Sequence, residues 1–185
     1  NFNNEFGLPL TILGDWQRVG GIFFWSKVII VSCWRLVFGG AYPELLILEY
    51  GADRPGNIKY LLEIARPQIG VITAIGDIPS HVEFYSDPDA VVREKSKLVE
   101  SLNAQGFAIL NFDDDSVFDI RDKTRAHVMT FGFGEGAEIH ITNFEHRVES
   151  GKPVGIAFKL EYGGSFVPVR LDDSFGKVQA YATAA

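Results

Sequence analysis

The stretch from Glu44 to His81 constrains the fold more than any other. Two apolar runs, Leu45 to Glu49 and Ile69 to Ile75, flank a helix-length segment from Asn57 to Ala65. In that segment Ile58, Leu61, Leu62 and Ala65 recur at helical spacing and are expected to face a sheet. Leucine-rich and β-branched runs on either side of one helix are the pattern of a βαβ unit, with both strands in a buried parallel sheet. Such sheets place ligands beyond the carboxyl ends of their strands. The residues to question first are therefore Glu49, at the end of the first run, and Asp77 to His81, after the second.

The rest of the chain extends this pattern. Pro9 suits the first turn of a helix, with Gly7 in the loop before it. Asp15 to Gly21 reads as a connector, and Ser26 to Phe38 as a helix stopped by Gly39-Gly40. Asp87-Pro88 caps and opens a helix from about Asp89 to Leu102. Phe107 to Leu110 is a third strand ending in Asn111, Asp113-Asp114-Asp115 starts a brief helix to Asp122, and Val128 to Gly132 is a fourth strand. From Glu138 to Leu171 the apolar residues alternate, with turns at Ser150-Gly151 and Gly163-Gly164, which predicts an antiparallel meander. Gly176 to Ala185 begins a closing helix. The expected class is α/β: a mostly parallel sheet with flanking helices, plus an antiparallel meander in the C-terminal third.

A chain of 185 residues with 46% hydrophobic and 22% charged residues is sized for one domain with a core. Its net charge of −7 argues against a nucleic-acid partner. The lone Cys33 admits no internal disulfide, fits a reducing cytoplasm, and reads as core packing. Ile22 to Phe38 is almost wholly apolar, yet it is short for a membrane span and carries Lys27 and Arg35. It is expected to be a buried or interface-lying helix, and membrane association is not expected.

Four places could carry chemistry. Glu49, a carboxylate at a strand end, reads equally as a metal or nucleotide ligand and as a structural cap partner. His81 is by default a surface histidine, of interest for its position past the next strand. Lys95 sits in Arg93-Glu94-Lys95-Ser96-Lys97, which reads as a solvated charged helix face. Asp113 to Asp115 reads as a helix-start cluster before it reads as a metal site.

The order of these features resembles a known family. Leu48-Glu49-Tyr50-Gly51-Ala52-Asp53-Arg54-Pro55-Gly56, then Ile64-Ala65-Arg66-Pro67-Gln68-Ile69-Gly70-Val71-Ile72-Thr73, is similar to the central ATP-binding domain of the Mur ligases. The opening Asn1-Phe2-Asn3-Asn4-Glu5-Phe6-Gly7-Leu8-Pro9-Leu10-Thr11 resembles the segment that follows the family's phosphate-binding loop. Leu110-Asn111-Phe112-Asp113-Asp114 and Phe131-Gly132-Phe133-Gly134-Glu135-Gly136-Ala137 resemble two later elements, the second opening a β-rich insertion.

The resemblance implies a phosphate-loop-type sheet, ATP and Mg²⁺ as cofactors, and a cytoplasmic enzyme of peptidoglycan precursor synthesis. The branch it resembles adds D-alanyl-D-alanine to UDP-N-acetylmuramoyl-tripeptide through an acyl-phosphate. It implies that Glu49, His81 and Lys95 hold magnesium, Lys95 as a carbamylated lysine that also serves in catalysis with His81. Asn3, Asn4, Asn111 and Gln179 would lie near nucleotide or substrate, although Asn3 and Asn4 serve as well to cap the next helix. Val178 departs from the histidine common just before the position of Gln179.

No Gly-x-x-x-x-Gly-Lys-Ser/Thr occurs in the chain. With Asn1 first and Thr183-Ala184-Ala185 last, the expectation is a partial central domain: residues 1–137 the sheet portion, 138–175 the insertion and 176–185 the closing helix. The phosphate loop and the UDP- and amino-acid-binding domains would be elsewhere in the parent polypeptide, as partners of this one. Two other readings stay open. One is a related ligase resembling the folylpolyglutamate or cyanophycin synthetases. The other is a non-catalytic α/β module that uses Ile22 to Phe38 as a partner or membrane contact.

Overall fold

The structure is a computed structural model that describes residues 3–14, 16 and 18–185. Asn1 and Phe2 of the opening motif, and Asp15 and Gln17 of the connector, lie outside the described residues.

Six strands form one sheet in chain order: β1 (Ile69–Ile72), β2 (Phe107–Asn111), β3 (His127–Gly132), β4 (Ile139–Glu149), β5 (Lys152–Tyr162) and β6 (Ser165–Asp172). β1, β2 and β3 are parallel, with Ile69 opposite Phe107 and Phe107 opposite His127. β4 joins β3 in parallel only through Phe131–Ile139 and Gly132–His140, then pairs antiparallel with β5, as β5 does with β6. Both hairpins turn on two residues with positive φ, Ser150-Gly151 and Gly163-Gly164, the conformation whose twist matches that of paired strands. This is the α/β class expected from the sequence.

Helices cover the sheet where the apolar spacing demands. In α4 (Pro88–Glu100), Asp87 accepts from Ala90 N at 2.7 Å and Pro88 fills the first turn, where a missing N–H costs nothing. Its Val99 packs with Ile72, Ala108 and Leu110 of the parallel strands, with Ile75 just after β1, and with Val117 and Ile120, which follow β2. Full burial of each such aliphatic side chain is worth about 1.5–3 kcal/mol. α5 (Asp115–Phe118) and the 3₁₀ turn Asp119–Lys123 complete that core. On the other half, α6 (Lys177–Ala184) lays Ala180 and Ala184 on Phe131, Ile141, Ile156 and Phe158. α3 (Asn57–Ile64) buries Ile58, Leu61 and Leu62 as spaced, but rests against Ala52 and Leu98 of α4 instead of facing the sheet.

Four expectations are corrected. Residues 45–49 form no strand, and Leu45 is 73% and Ile47 84% exposed. A strand exists only where a neighbouring backbone pairs its N–H and C=O groups. Among the described residues no strand lies outside β1, so only the second half of the βαβ unit is built. β1 itself stops at Ile72, because the amides of Ile75 and Gly76 turn to the carboxylate of Asp114. Gly7 begins α1 (Gly7–Leu13) instead of preceding it.

The fourth correction concerns α2 (Ile22–Phe38), which is not buried: Val28 alone is inside, while Phe23 is 89% exposed and Cys33 lies at the surface. Its anchors are few and one-sided, Phe24 edge-on to Trp16 and Arg35 Nη1 donating to Leu13 O at 2.9 Å. No described helix is long and apolar enough to cross a membrane.

Candidate functional site

The carboxyl ends of β1, β2 and β3 are tied together by three polar side chains that follow Leu110: Asn111, Asp113 and Asp114. Asn111, the last residue of β2, is buried; its Nδ2 donates to Thr73 O at 2.8 Å and its Oδ1 accepts from Asp113 N at 2.9 Å. Asp114 Oδ2 accepts from Ile75 N at 2.7 Å and Gly76 N at 2.8 Å, and its Oδ1 caps α5 at Val117 N, 3.1 Å. The helix-start reading of the aspartate run is thus right for Asp114, which also holds the loop leaving β1.

Asp113 works in the opposite direction. It accepts from Phe133 N at 2.6 Å, Gly134 N at 2.8 Å and the Tyr181 hydroxyl of α6 at 2.8 Å. Burial, reinforced by that carboxylate, raises the pKa of Tyr181 above the ordinary tyrosine value. The loop after β3 must approach closely for these bonds: a Cβ on Gly134 would sit 2.7 Å from the Phe112 ring, and one on Gly136 2.5 Å from it. That is the physical reason for Gly132-Phe133-Gly134-Glu135-Gly136.

Lys95 reaches this rim from α4. Its Nζ donates to Ala74 O at 3.4 Å, and the side chain is half-buried, not solvated. Burial lowers its pKa below the usual lysine value, and the charge of Asp114 opposes that shift in part.

Glu49, Asn3 and His81 occupy a second, looser group. Asn3 Nδ2 donates to Glu49 Oε1 at 3.0 Å, and Gly51 N donates to Asn3 O at 2.7 Å. Asn4 Oδ1 accepts from Phe6 N at 3.2 Å and Gly7 N at 2.9 Å, the capping role left open for it. His81, at φ 64°, pairs with Asp53 at 3.5 Å, both side chains about half exposed. The Tyr85 hydroxyl donates to Ala52 O at 2.8 Å and joins these two loops; burial, with Glu94 and Asp53 adding, pushes its pKa up to about 12. Gln179 is exposed on α6, and its main-chain O accepts from Thr183 Oγ1.

The structure therefore brings Asn3 to Glu49, and Lys95 and Asn111 to one rim. No hydrogen bond or ion pair among the described residues joins Glu49, His81 and Lys95 to one another. Nor do the described residues contain a group of three or more His, Cys, Asp and Glu placed to hold a metal ion. Magnesium prefers oxygen donors. The Glu49 carboxylate fits, with Oε2 unbonded among the described residues. Lys95 fits only when its nitrogen carries a carboxylate.

A family model described as the Mur ligase middle domain matches residues 38–168. The chain belongs to this family. A UDP-N-acetylmuramoyl-tripeptide–D-alanyl-D-alanine ligase of Mycobacterium leprae is 32% identical over 134 residues, which cover 72% of this chain and 21% of that protein. Crystal structures of MurF from Acinetobacter baumannii (TM-score 0.70, 23% identity) and, with ADP, from Thermotoga maritima (TM-score 0.70, 24% identity) each cover 100% of this chain. The chain covers 33% and 35% of those two chains, and at such identities the likeness establishes the fold. The chain thus spans about a fifth of the length of the M. leprae relative it matches.

Several polar anchors of this Mur ligase middle domain were not singled out from sequence. Glu94, read as part of a solvated face, is 3% exposed, accepts from Ile58 N at 2.9 Å and Lys97 Nζ at 2.6 Å, and so caps α3 from another helix. Asp53, Tyr85 and Tyr181 likewise act through partners distant in sequence. The one available signal was the alternating glycine run after β3, which implied that something packs against bare backbone.

Proposed function

We propose that this chain is the central part of an ATP- and Mg²⁺-dependent cytoplasmic ligase that joins D-alanyl-D-alanine to UDP-N-acetylmuramoyl-tripeptide. The observation that carries this reading is the 32% identity over 134 residues to a protein of that name. In the proposed reaction the tripeptide carboxylate takes the terminal phosphoryl group of ATP, releasing ADP. The amine of D-alanyl-D-alanine then forms the C–N bond as phosphate leaves the acyl carbon.

Magnesium, when bound, would neutralise phosphate charge. Glu49, His81 and Lys95 would hold it, with Asn3 fixing one oxygen of Glu49. The lowered pKa of Lys95 supports carbamylation, since a larger neutral fraction of its amine is free to attack CO₂, forming an N–C bond and releasing a proton. Asn111, Asp113 and Asp114 would keep the strand ends in place for nucleotide, and Gln179 would lie at its edge. The sheet portion (1–137), insertion (138–175) and closing helix (176–185) would be completed by the phosphate loop and the substrate domains, without which the chain would be inactive.

The test is mass spectrometry of products from the intact gene product given ATP, Mg²⁺, UDP-N-acetylmuramoyl-tripeptide and D-alanyl-D-alanine. A product heavier by one D-alanyl-D-alanine less water is expected. Turnover of glutamate or another amino acid with no dipeptide addition would overturn the substrate assignment and favour another ligase of the superfamily.

A further inference from the structure

We infer that α2 lies in the surface of an anionic lipid bilayer and holds the domain against it. It takes up the membrane contact that the sequence left open for Ile22 to Phe38, against the broader expectation of no membrane association. The helix ends at Phe38, where the match to the family model begins.

Its polarity is inverted. The stripe facing the body is Phe24, Val28 and Val31, with Val28 buried. A second, outward-facing stripe, Phe23, Ile30, Trp34 and Val37, recurs at helical spacing and is 89%, 66%, 62% and 70% exposed. An apolar surface of this extent marks a contact with something.

Charge indicates with what. The chain has 24 acidic residues and a net charge of −7, yet none of those acids falls between Trp16 and Pro43, where Arg18, Lys27 and Arg35 stand. A cationic apolar segment on an otherwise acidic protein complements anionic headgroups. Pairing of two copies through this face would bring those cations together. All three tryptophans, Trp16, Trp25 and Trp34, belong to the same segment, and indole favours the boundary between lipid and water. A helix of 17 residues is about 25 Å long, short of the ~30 Å hydrocarbon core, so it lies in the plane instead of crossing.

The test is flotation of the full 185-residue chain with vesicles of phosphatidylcholine alone or mixed equally with phosphatidylglycerol. Tryptophan fluorescence reports on this segment alone. Flotation with the anionic vesicles is expected, with a blue shift of tryptophan emission and quenching by brominated acyl chains. Arg18→Gln and Lys27→Gln should each weaken binding roughly fivefold. Ile30→Ser/Trp34→Ser should weaken it roughly a hundredfold with an unchanged circular dichroism spectrum, since both side chains are exposed. Absence of flotation and of quenching in the wild-type chain would overturn the inference, whatever the variants do. So would self-association by light scattering without vesicle binding, or vesicle binding by Ile30→Ser/Trp34→Ser equal to that of the wild type.

Discussion

The rim at the ends of β1–β3 and the Asn3–Glu49–His81 group differ in how their side chains are held. Asp114 has three backbone donors and Asp113 has two plus a tyrosine hydroxyl. Glu49 has a single amide donor among the described residues, and His81 one half-exposed carboxylate at 3.5 Å. One region is rigid without any ligand because its carboxylates replace strand pairing where the strands end. The other is held by solvated contacts and keeps polar atoms uncommitted. A ligand that bridged the two would therefore order the second and leave the first unchanged.

Removing the strongest anchor should have the largest effect. Asp114→Ala leaves the amides of Ile75, Gly76 and Val117 without their acceptor and should lower stability by about 3 kcal/mol in urea unfolding. A loss under 1 kcal/mol would mean that water replaces the carboxylate and that the rim is no more prebuilt than the Glu49 side. Gly134→Ala comes next, at about 2 kcal/mol, because the methyl meets both the Phe112 ring and the Asp113 carboxylate. Tyr181→Phe should cost about 1 kcal/mol, the worth of one hydrogen bond with the ring packing kept.

Sequence legibility follows the same division. Elements whose determinants are local were readable: the Asp87-Pro88 start of α4, the strands around Asn111 and Gly132, and the alternating meander with its two-residue turns. Each depends on residues within a few positions of one another. Residues 45–49 have the composition of a strand, but composition cannot report whether a partner backbone lies alongside. The burial expected for Cys33, and as one alternative for α2, fails for a related reason, since apolar residues predict burial only when a surface is available to cover them. Of the candidate site, Glu49, His81, Lys95 and Asn111 were singled out through their positions after strands and the family resemblance, and remain proposals. Glu94, Asp53 and Tyr181 were not, because their partners are 36, 28 and 68 residues away.

Lys95 belongs to the rim and gives a pH test. Its native pKa lies below the ordinary 10.5, so on the alkaline approach to that value the unfolded chain holds a proton the native chain has shed. Stability should then rise with pH toward 10.5, relative to a Lys95→Met chain, which lacks the group. Tyr85 and Tyr181 oppose this above about 10, where their raised native values make the native state the better proton binder and stability falls. Both tyrosines are common to the two chains, so the difference between their urea midpoints isolates Lys95. A difference that is flat or falls toward pH 10 would place the amine in water and remove the electrostatic support for its carbamylation.

The smallest effect should come from Asn3→Ala. Its bond to Glu49 is exposed, so water can satisfy both groups once it is gone, and the stability change should stay within about 0.5 kcal/mol. The main-chain bond from Gly51 N to Asn3 O survives the substitution, which keeps the strip in place. Magnesium-dependent nucleotide affinity of the intact protein should nevertheless fall, because a carboxylate that has lost its fixing donor loses part of its entropy only on binding the ion. A stability loss above 1.5 kcal/mol with nucleotide affinity unchanged would invert the division between the regions. Asn3 and Glu49 would then be a structural tie, and the prebuilt rim would be the place to seek the metal.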